Sequence, residues 1–297
     1  MTKTVTIGTA TLHLGDSLEL LPTLPPVHAL ITDPPYSSGA HESAKRGKRP
    51  AMTPESVTAR DVIHGDVMGT FGFMWFLRAW YYQVLRVLVP GGHMACCIDW
   101  RMYPVLCAAA EAAGLRMNNM VVWDKGYPGL GTGFRAQHEL VMLASNGPPT
   151  WHSYDYGNVV KAMRITSGAH PHEKPLELMG ALIETCTPPG ATVCDTFMGS
   201  GSTGVAAILK GRRFIGIEID PARFETACGR IEDAHSRRGT TDQTPCCRTN
   251  GAGTVTPNVE LSCGLRRVAL AWWHRMREAH CHQAKAARRS PSARAPG

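Results

Sequence analysis

The sequence predicts an α/β fold with a doubly wound, mostly parallel sheet, and three observations carry that expectation. Short apolar runs with strand character alternate with longer stretches of helical periodicity. A Gly-rich turn stands between a short strand and a helix-like run, where a nucleotide-binding loop belongs in such folds. The 297 residues, 43% of them hydrophobic, suffice for a full core in one large domain with an appendage.

From the N terminus, Val5–Ile7 and Thr11–Leu14 alternate like a short hairpin, and Gly15-Asp16 precedes a helix-like Leu18–Leu21 for which Asp16 can serve as N-cap. Val27–Thr32 is an apolar, strand-like run that gives out at Asp33-Pro34-Pro35-Tyr36. The prolines fix φ and withhold their N–H groups, so the carbonyls of Asp33 and Pro34 can face outward beside an aromatic ring. Such a corner suits a planar base with an exocyclic amino group, which offers N–H donors and a π face together. Read alone, the two prolines can equally end a strand while Tyr36 caps the core.

Ser37–Thr70 is polar, rich in Gly and Ser, and carries the basic cluster Lys45, Arg46, Lys48 and Arg49. Placed directly after the corner, a loop of this length is sited to close over a nucleic acid. Phe71–Leu88 has helical period and ends at Pro90-Gly91-Gly92; its Trp75, Phe76, Trp80, Tyr81 and Tyr82 are expected in the core. Strand Met94–Ile98, a helix over Tyr103–Ala113 and strand Asn119–Trp123 follow. Asp124-Lys125-Gly126 and Gly131–Glu139 read as a flexible loop feeding strand Leu140–Ala144.

The mixed segment Asn146–Ala169 is too short for an independent core. His170–Pro175 opens a helix over Leu176–Cys186, with proline near its first turn. Strand Thr192–Cys194 then leads into Asp195-Thr196-Phe197-Met198-Gly199-Ser200-Gly201-Ser202-Thr203-Gly204, whose glycines allow a tight turn and close approach to a ligand before a helix begins at Thr203. Phe214–Asp220 is a strand ending in acids, where a ribose-binding carboxylate is expected. Glu218 takes that role, and Asp220, before Pro221, caps a helix running to Ala234.

The corner and the glycine loop together resemble the amino-methylating DNA methyltransferases that use S-adenosylmethionine, in the permuted order where the catalytic tetrapeptide precedes the cofactor loop. The resemblance spans Leu12 to Ile231. The family's loop pattern D-P-F-x-G-S-G-T-T is matched except that Thr196 replaces proline and Ser202 replaces threonine. The resemblance implies the S-adenosylmethionine-dependent methyltransferase fold, with Asp33, Pro34, Pro35 and Tyr36 as the catalytic group. It implies cofactor contacts from Asp16, His170, Lys174, Asp195, Phe197, Gly199, Ser200, Gly201, Ser202, Thr203 and Glu218, where His170 and Lys174 belong to an H-P-x-x-K-P element walling the pocket. It also places Lys125, Phe134 and Arg135 beside the target base, while Lys45, Arg46, Lys48 and Arg49 are candidates for the DNA backbone. Lys125 could also be a solvated loop charge, and Phe134 could plug the core.

The implied partner is double-stranded DNA and the implied target N6 of adenine, because Asp at the first tetrapeptide position usually accompanies adenine in the family. Cytosine N4 is the alternative, and from another class a catalytically silent DNA-binding regulator. A homodimer and a cognate restriction endonuclease are left open. A nicotinamide-dependent dehydrogenase would use the glycine loop but leave Asp33–Tyr36 without a purpose.

Net charge is +7, and its distribution says more than its total. Residues 1–235 carry 20 Lys and Arg against 21 Asp and Glu, whereas residues 236–297 carry 11 against 3. This divides the chain into a catalytic domain at 1–235 and a basic C-terminal extension at 236–297 that either contacts DNA or is disordered. No signal peptide or bilayer-length apolar run is evident, so a cytoplasmic protein with reduced cysteines and no membrane partner is expected. The ten cysteines include adjacent pairs at Cys96-Cys97 and Cys246-Cys247 but no C-x-x-C, so no metal site is expected.

Overall fold

The computed structural model describes residues 3–36, 68–129, 132–165 and 173–241. The expectations placed on Lys45, Arg46, Lys48, Arg49, His170 and the extension beyond residue 241 lie outside the described residues.

Strands β1 (Lys3–Ile7) and β2 (Ala10–Leu14) form the expected antiparallel hairpin. Helix α1 (Ser17–Leu20) follows, capped by Asp16, whose carboxylate accepts from the Leu18 amide at 2.8 Å. Next in order are β3 (Val27–Thr32), α2 (Thr70–Val87), β4 (Leu88–Ile98), α3 (Tyr103–Ala113), β5 (Arg116–Asp124) and β6 (His138–Ser145). The chain then continues through β7 (Val159–Lys161), α4 (Leu176–Cys186), β8 (Thr192–Asp195), α5 (Ser202–Leu209), β9 (Arg213–Glu218) and α6 (Pro221–Thr241).

The strands form one sheet in the order β1-β2-β9-β8-β3-β4-β6-β5-β7. Pairing is parallel except where β1 meets β2 and where β6 lies between β4 and β5. Side chains alternate across β3 and β4: Ala29, Ile31, Ala95 and Cys97 enter one core with α4, α5 and α6, while Leu30, Met94, Cys96 and Ile98 enter a second with α2 and α3. Both faces are therefore covered, as expected of strands that read as continuous apolar runs.

This order has a consequence for ligands. From β3 the chain crosses by α2, on one face, to β4; from β8 it crosses by α5, on the other face, to β9. The paired strands β3 and β8 are thus the point where the winding reverses, and their carboxyl ends are where ligands bind in open α/β sheets.

Several expectations are corrected. Pro90-Gly91-Gly92 does not end a helix but lies inside β4, where the β3 register slips between Val27 and Ala29 and Gly91 adopts φ +76°. Of the α2 aromatics, Phe73, Trp80 and Tyr81 are buried, but Trp75 and Tyr82 are exposed together with Phe71, because an 18-residue helix lying on a sheet buries only one stripe. Segment 146–165 contributes β7, a short edge strand absent from the sequence reading. The last helix passes residue 235 and reaches Thr241. Among the described residues no helix is long and apolar enough to cross a membrane, and no group of His, Cys, Asp and Glu could hold a metal ion.

Candidate active site

Asp33 follows the last residue of β3, at the point where the winding reverses. Its Oδ1 accepts from the Tyr36 hydroxyl at 2.7 Å, and its Oδ2 pairs with the ammonium of Lys174, which precedes α4. The same ammonium stands 3.5 Å from Glu139 Oε2 and 5.5 Å from the centre of the Tyr36 ring. Glu139, near the start of β6, pairs through Oε1 with Lys125, which lies just beyond β5. Three strand ends and one helix approach thereby bring two carboxylates, two ammonium groups and a phenol together.

Burial sets the electrostatics. It pulls the Lys174 ammonium down, but Asp33 and Glu139 outweigh it and raise Lys174 well above the usual lysine range, so it stays charged. Burial pushes the Glu139 carboxyl up, yet Lys174 and Lys125 hold it below its ordinary value. For Lys125 burial wins and lowers it, against the pull of Glu139. Burial also raises the Tyr36 phenol, which keeps its proton.

The glycine loop occupies the neighbouring strand end. Asp195 is buried and accepts from Thr32 Oγ1 at 2.6 Å and from the Phe197 amide at 3.1 Å, tying the loop to β3. Gly199 and Gly201 take φ of +52° and +84°, which lets the loop turn into α5. Phe197 is backed by Trp80 and Phe76, with ring centroids 5.2 and 6.1 Å away. Arg230 of α6 donates to both the carbonyl and the hydroxyl of Ser200 at 2.8 Å and pairs with Glu173.

At the end of β9, Glu218 accepts from the amides of Gly199 (2.8 Å), Ile219 (3.1 Å) and Asp220 (2.9 Å), and burial raises its carboxyl. Asp220 caps α6 as expected, accepting from Ala222 and Arg223. Two hydroxyls of the loop, Thr196 Oγ1 and Ser202 Oγ, are buried without a hydrogen-bond partner among the described residues. Both stand where the sequence departs from the family pattern, and a polar ligand would satisfy them.

Asp33, Tyr36 and Lys174 therefore share one cluster, and Asp195, Phe197, Gly199 to Thr203 and Glu218 share the next strand ends. Asp16 joins them, since Gly15 donates its amide to the Glu218 carbonyl at 2.9 Å. Lys174 contacts the tetrapeptide, although the sequence reading put it with the cofactor wall. Lys125 is no solvated loop charge but is buried against Glu139, while Phe134 is fully exposed and does not plug the core, and Arg135 is exposed beside it. Glu139 belongs to the His138-Glu139 pair that the resemblance sets at the border of the target-base pocket, although it was not among the candidate residues. Arg230 was missed and had no signal, being one of several charges on a polar helix.

A winding reversal flanked by a glycine loop on one strand and an acceptor-lined aromatic corner on the next defines a methyltransferase of the α/β class. The chain belongs to the N6 and N4 DNA methylase family, whose model, described as DNA methylase, matches residues 27–228. It is 30% identical over 207 residues to YubD of Escherichia coli K12, which bears a methylase name, covering 69% of this chain and 82% of that protein. Among solved structures it resembles the complex of M1.HpyAVI with S-adenosylmethionine (TM-score 0.56, 23% identity, 75% of this chain and 98% of that one). It also resembles the PvuII cytosine-N4-specific DNA methyltransferase (TM-score 0.60, 18% identity, 78% and 93%). The fold is thus the methyltransferase fold, and the cofactor is S-adenosylmethionine. The loop fits it: glycines where the backbone must come close, unpartnered hydroxyls at Thr196 and Ser202, and a carboxylate at Glu218.

Proposed function

We propose that this chain methylates the exocyclic N6 of adenine in double-stranded DNA, on a base swung out of the duplex into the corner formed by Asp33, Pro34, Pro35 and Tyr36. The observation that supports this reading best is the placement of the Asp33 carboxylate, held by Lys174 and by the Tyr36 hydroxyl, at the same carboxyl end of the sheet as the glycine loop.

Glu218, Phe197 and the Gly199–Thr203 turn would hold S-adenosylmethionine, which supplies a methyl group on a sulfonium. Extruding the base costs a few kcal/mol, and stacking on Tyr36 returns about 1–3 kcal/mol. Asp33 and the Pro34 carbonyl would accept the two amino hydrogens, drawing the nitrogen lone pair out of conjugation and aiming it at the donor. Asp33 does not have to be a strong base. Positive charge develops on nitrogen during transfer, and a fixed carboxylate stabilises it where it appears.

The test is incubation with mixed-sequence duplex DNA and labelled S-adenosylmethionine, followed by digestion to nucleosides. N6-methyladenine with the parent, and a rate lowered by about 10²-fold or more with Asp33→Ala at unchanged cofactor affinity, is the expected result. N4-methylcytosine would overturn the base while keeping the corner, and parental transfer by Asp33→Ala would overturn the mechanism.

A further inference from the structure

The Tyr36 hydroxyl carries one proton and faces two carboxylates. Asp33 Oδ1 lies 2.7 Å away and Glu139 Oε2 3.1 Å away, so the shorter contact takes the proton when the corner is empty. Asp33 Oδ2 is meanwhile occupied by Lys174. Each oxygen of the carboxylate that must receive an amino group therefore already accepts one hydrogen bond before any base arrives, and an incoming N–H has to share Oδ1 with the Tyr36 proton.

We propose that Glu139 is a positioning residue that accepts the Tyr36 hydroxyl hydrogen bond when the target amino group takes its place on Asp33. The inference rests on the proposed use of Asp33 as acceptor for that amino group. No covalent step is involved. The proton stays on the Tyr36 oxygen and the O–H rotates from one carboxylate to the other, leaving Asp33 Oδ1 open to the incoming N–H.

Three features of the structure suit Glu139 to this task. Its Oε2 lies 3.1 Å from the hydroxyl that already reaches Asp33 Oδ1 at 2.7 Å, so a turn of the O–H alone serves either acceptor without moving the ring. Its other oxygen is pinned by Lys125, which rests over the Trp123 ring at 4.8 Å, so the acceptor cannot swing away. Its second contact through Oε2, to Lys174 at 3.5 Å, is longer than a hydrogen bond and leaves a lone pair for Tyr36. Without Glu139, the half-buried phenol would have Asp33 as its one side-chain acceptor among the described residues and would compete with the substrate for it.

The experiment is a double-mutant cycle on a duplex that the parent methylates, with the target adenine kept and 2-aminopurine placed directly 3′ to it, so that extrusion of the adenine is read as unstacking of its fluorescent neighbour. In Glu139→Gln the amide oxygen stays with Lys125 and the amide NH2, which only donates, faces the Tyr36 hydroxyl, so the phenol proton is left to Asp33. Base capture and the transfer rate should each fall about tenfold or more, with S-adenosylmethionine affinity and the thermal midpoint near parental values. Adding Glu139→Gln to Tyr36→Phe should cost threefold or less relative to Tyr36→Phe alone, because the competing proton is gone. An equal loss in both backgrounds, or none in either, overturns the inference. Should Glu139→Gln not fold, Tyr36→Phe decides: it should capture the target adenine, read by the neighbouring 2-aminopurine, at least as tightly as the parent, and a tenfold weaker capture rejects the switch. A parent that transfers no methyl group to any DNA rejects the proposed function instead.

Discussion

Thr32 and Asp195 stand 163 residues apart in the chain, and the Thr32 hydroxyl donates to Asp195 Oδ1 at 2.6 Å in a fully buried contact. This hydrogen bond joins the last residue of β3, where the catalytic corner starts, to the last residue of β8, where the glycine loop starts. Parallel pairing of Ala29 with Val193 and Leu30 with Cys194 sets the register that brings the two ends level. The distance between donor loop and acceptor corner is thus controlled from the core rather than from the loops.

Asp195 should leave a signature in the pH dependence of stability. Burial raises its carboxyl from 3.8 to about 6. An unfolded chain releases this proton near its ordinary value while the folded chain keeps it, so the contribution of protonated Asp195 is complete below about pH 4 and is lost as pH rises to about 6. Asp195→Asn has no such proton to lose. Relative to the parent, the variant should gain up to about 3 kcal/mol in urea unfolding across that window and nothing further above it. A stability difference that is flat with pH would mean Asp195 is ionised throughout.

Arg230 holds the glycine loop from outside through Ser200 and Glu173. Arg230→Ala should weaken S-adenosylmethionine binding by about tenfold in calorimetry, since charge-assisted hydrogen bonds are worth on the order of 1.5–3 kcal/mol. Ser200→Ala, which keeps the contact to the Ser200 carbonyl, should do less.

A methyl group at Gly204 would meet the Phe214 ring and the Ile231 side chain, both at 2.6 Å. Gly204→Ala should therefore destabilise the fold by about 1–3 kcal/mol in urea unfolding, the usual cost of overpacking. At Gly199 the nearest atom is 4.0 Å away and only the positive φ, +52°, resists a side chain. Gly199→Asn should accordingly cost less than Gly204→Ala, because asparagine tolerates that conformation.

Lys174 separates two roles. If its ammonium serves Asp33, as the contact suggests, Lys174→Arg should lower methyl transfer by about tenfold or more while the cofactor dissociation constant stays within about threefold, because a planar fork does not reproduce a point charge between two carboxylates. A dissociation constant that rises in step with the loss of rate would return Lys174 to the cofactor wall.

What the residues alone determined was local. Strand Val27–Thr32, helices Tyr103–Ala113 and Leu176–Cys186, the hairpin, and the caps at Asp16 and Asp220 are each written in a few consecutive residues, through periodicity, turn chemistry and capping, and all appear in the structure. The corner at Asp33 and the loop after Asp195 were legible for the same reason. Only the tertiary structure decided what lies next to what: that Lys174 meets Asp33, that Glu139 waits behind Tyr36, that Arg230 grips Ser200, and that Trp75 and Tyr82 face outward. Those contacts depend on the order of strands in the sheet and on which stripe of a helix it covers. Charge pairing acts across space, so residues more than a hundred positions apart carry no mark of it until the sheet is assembled.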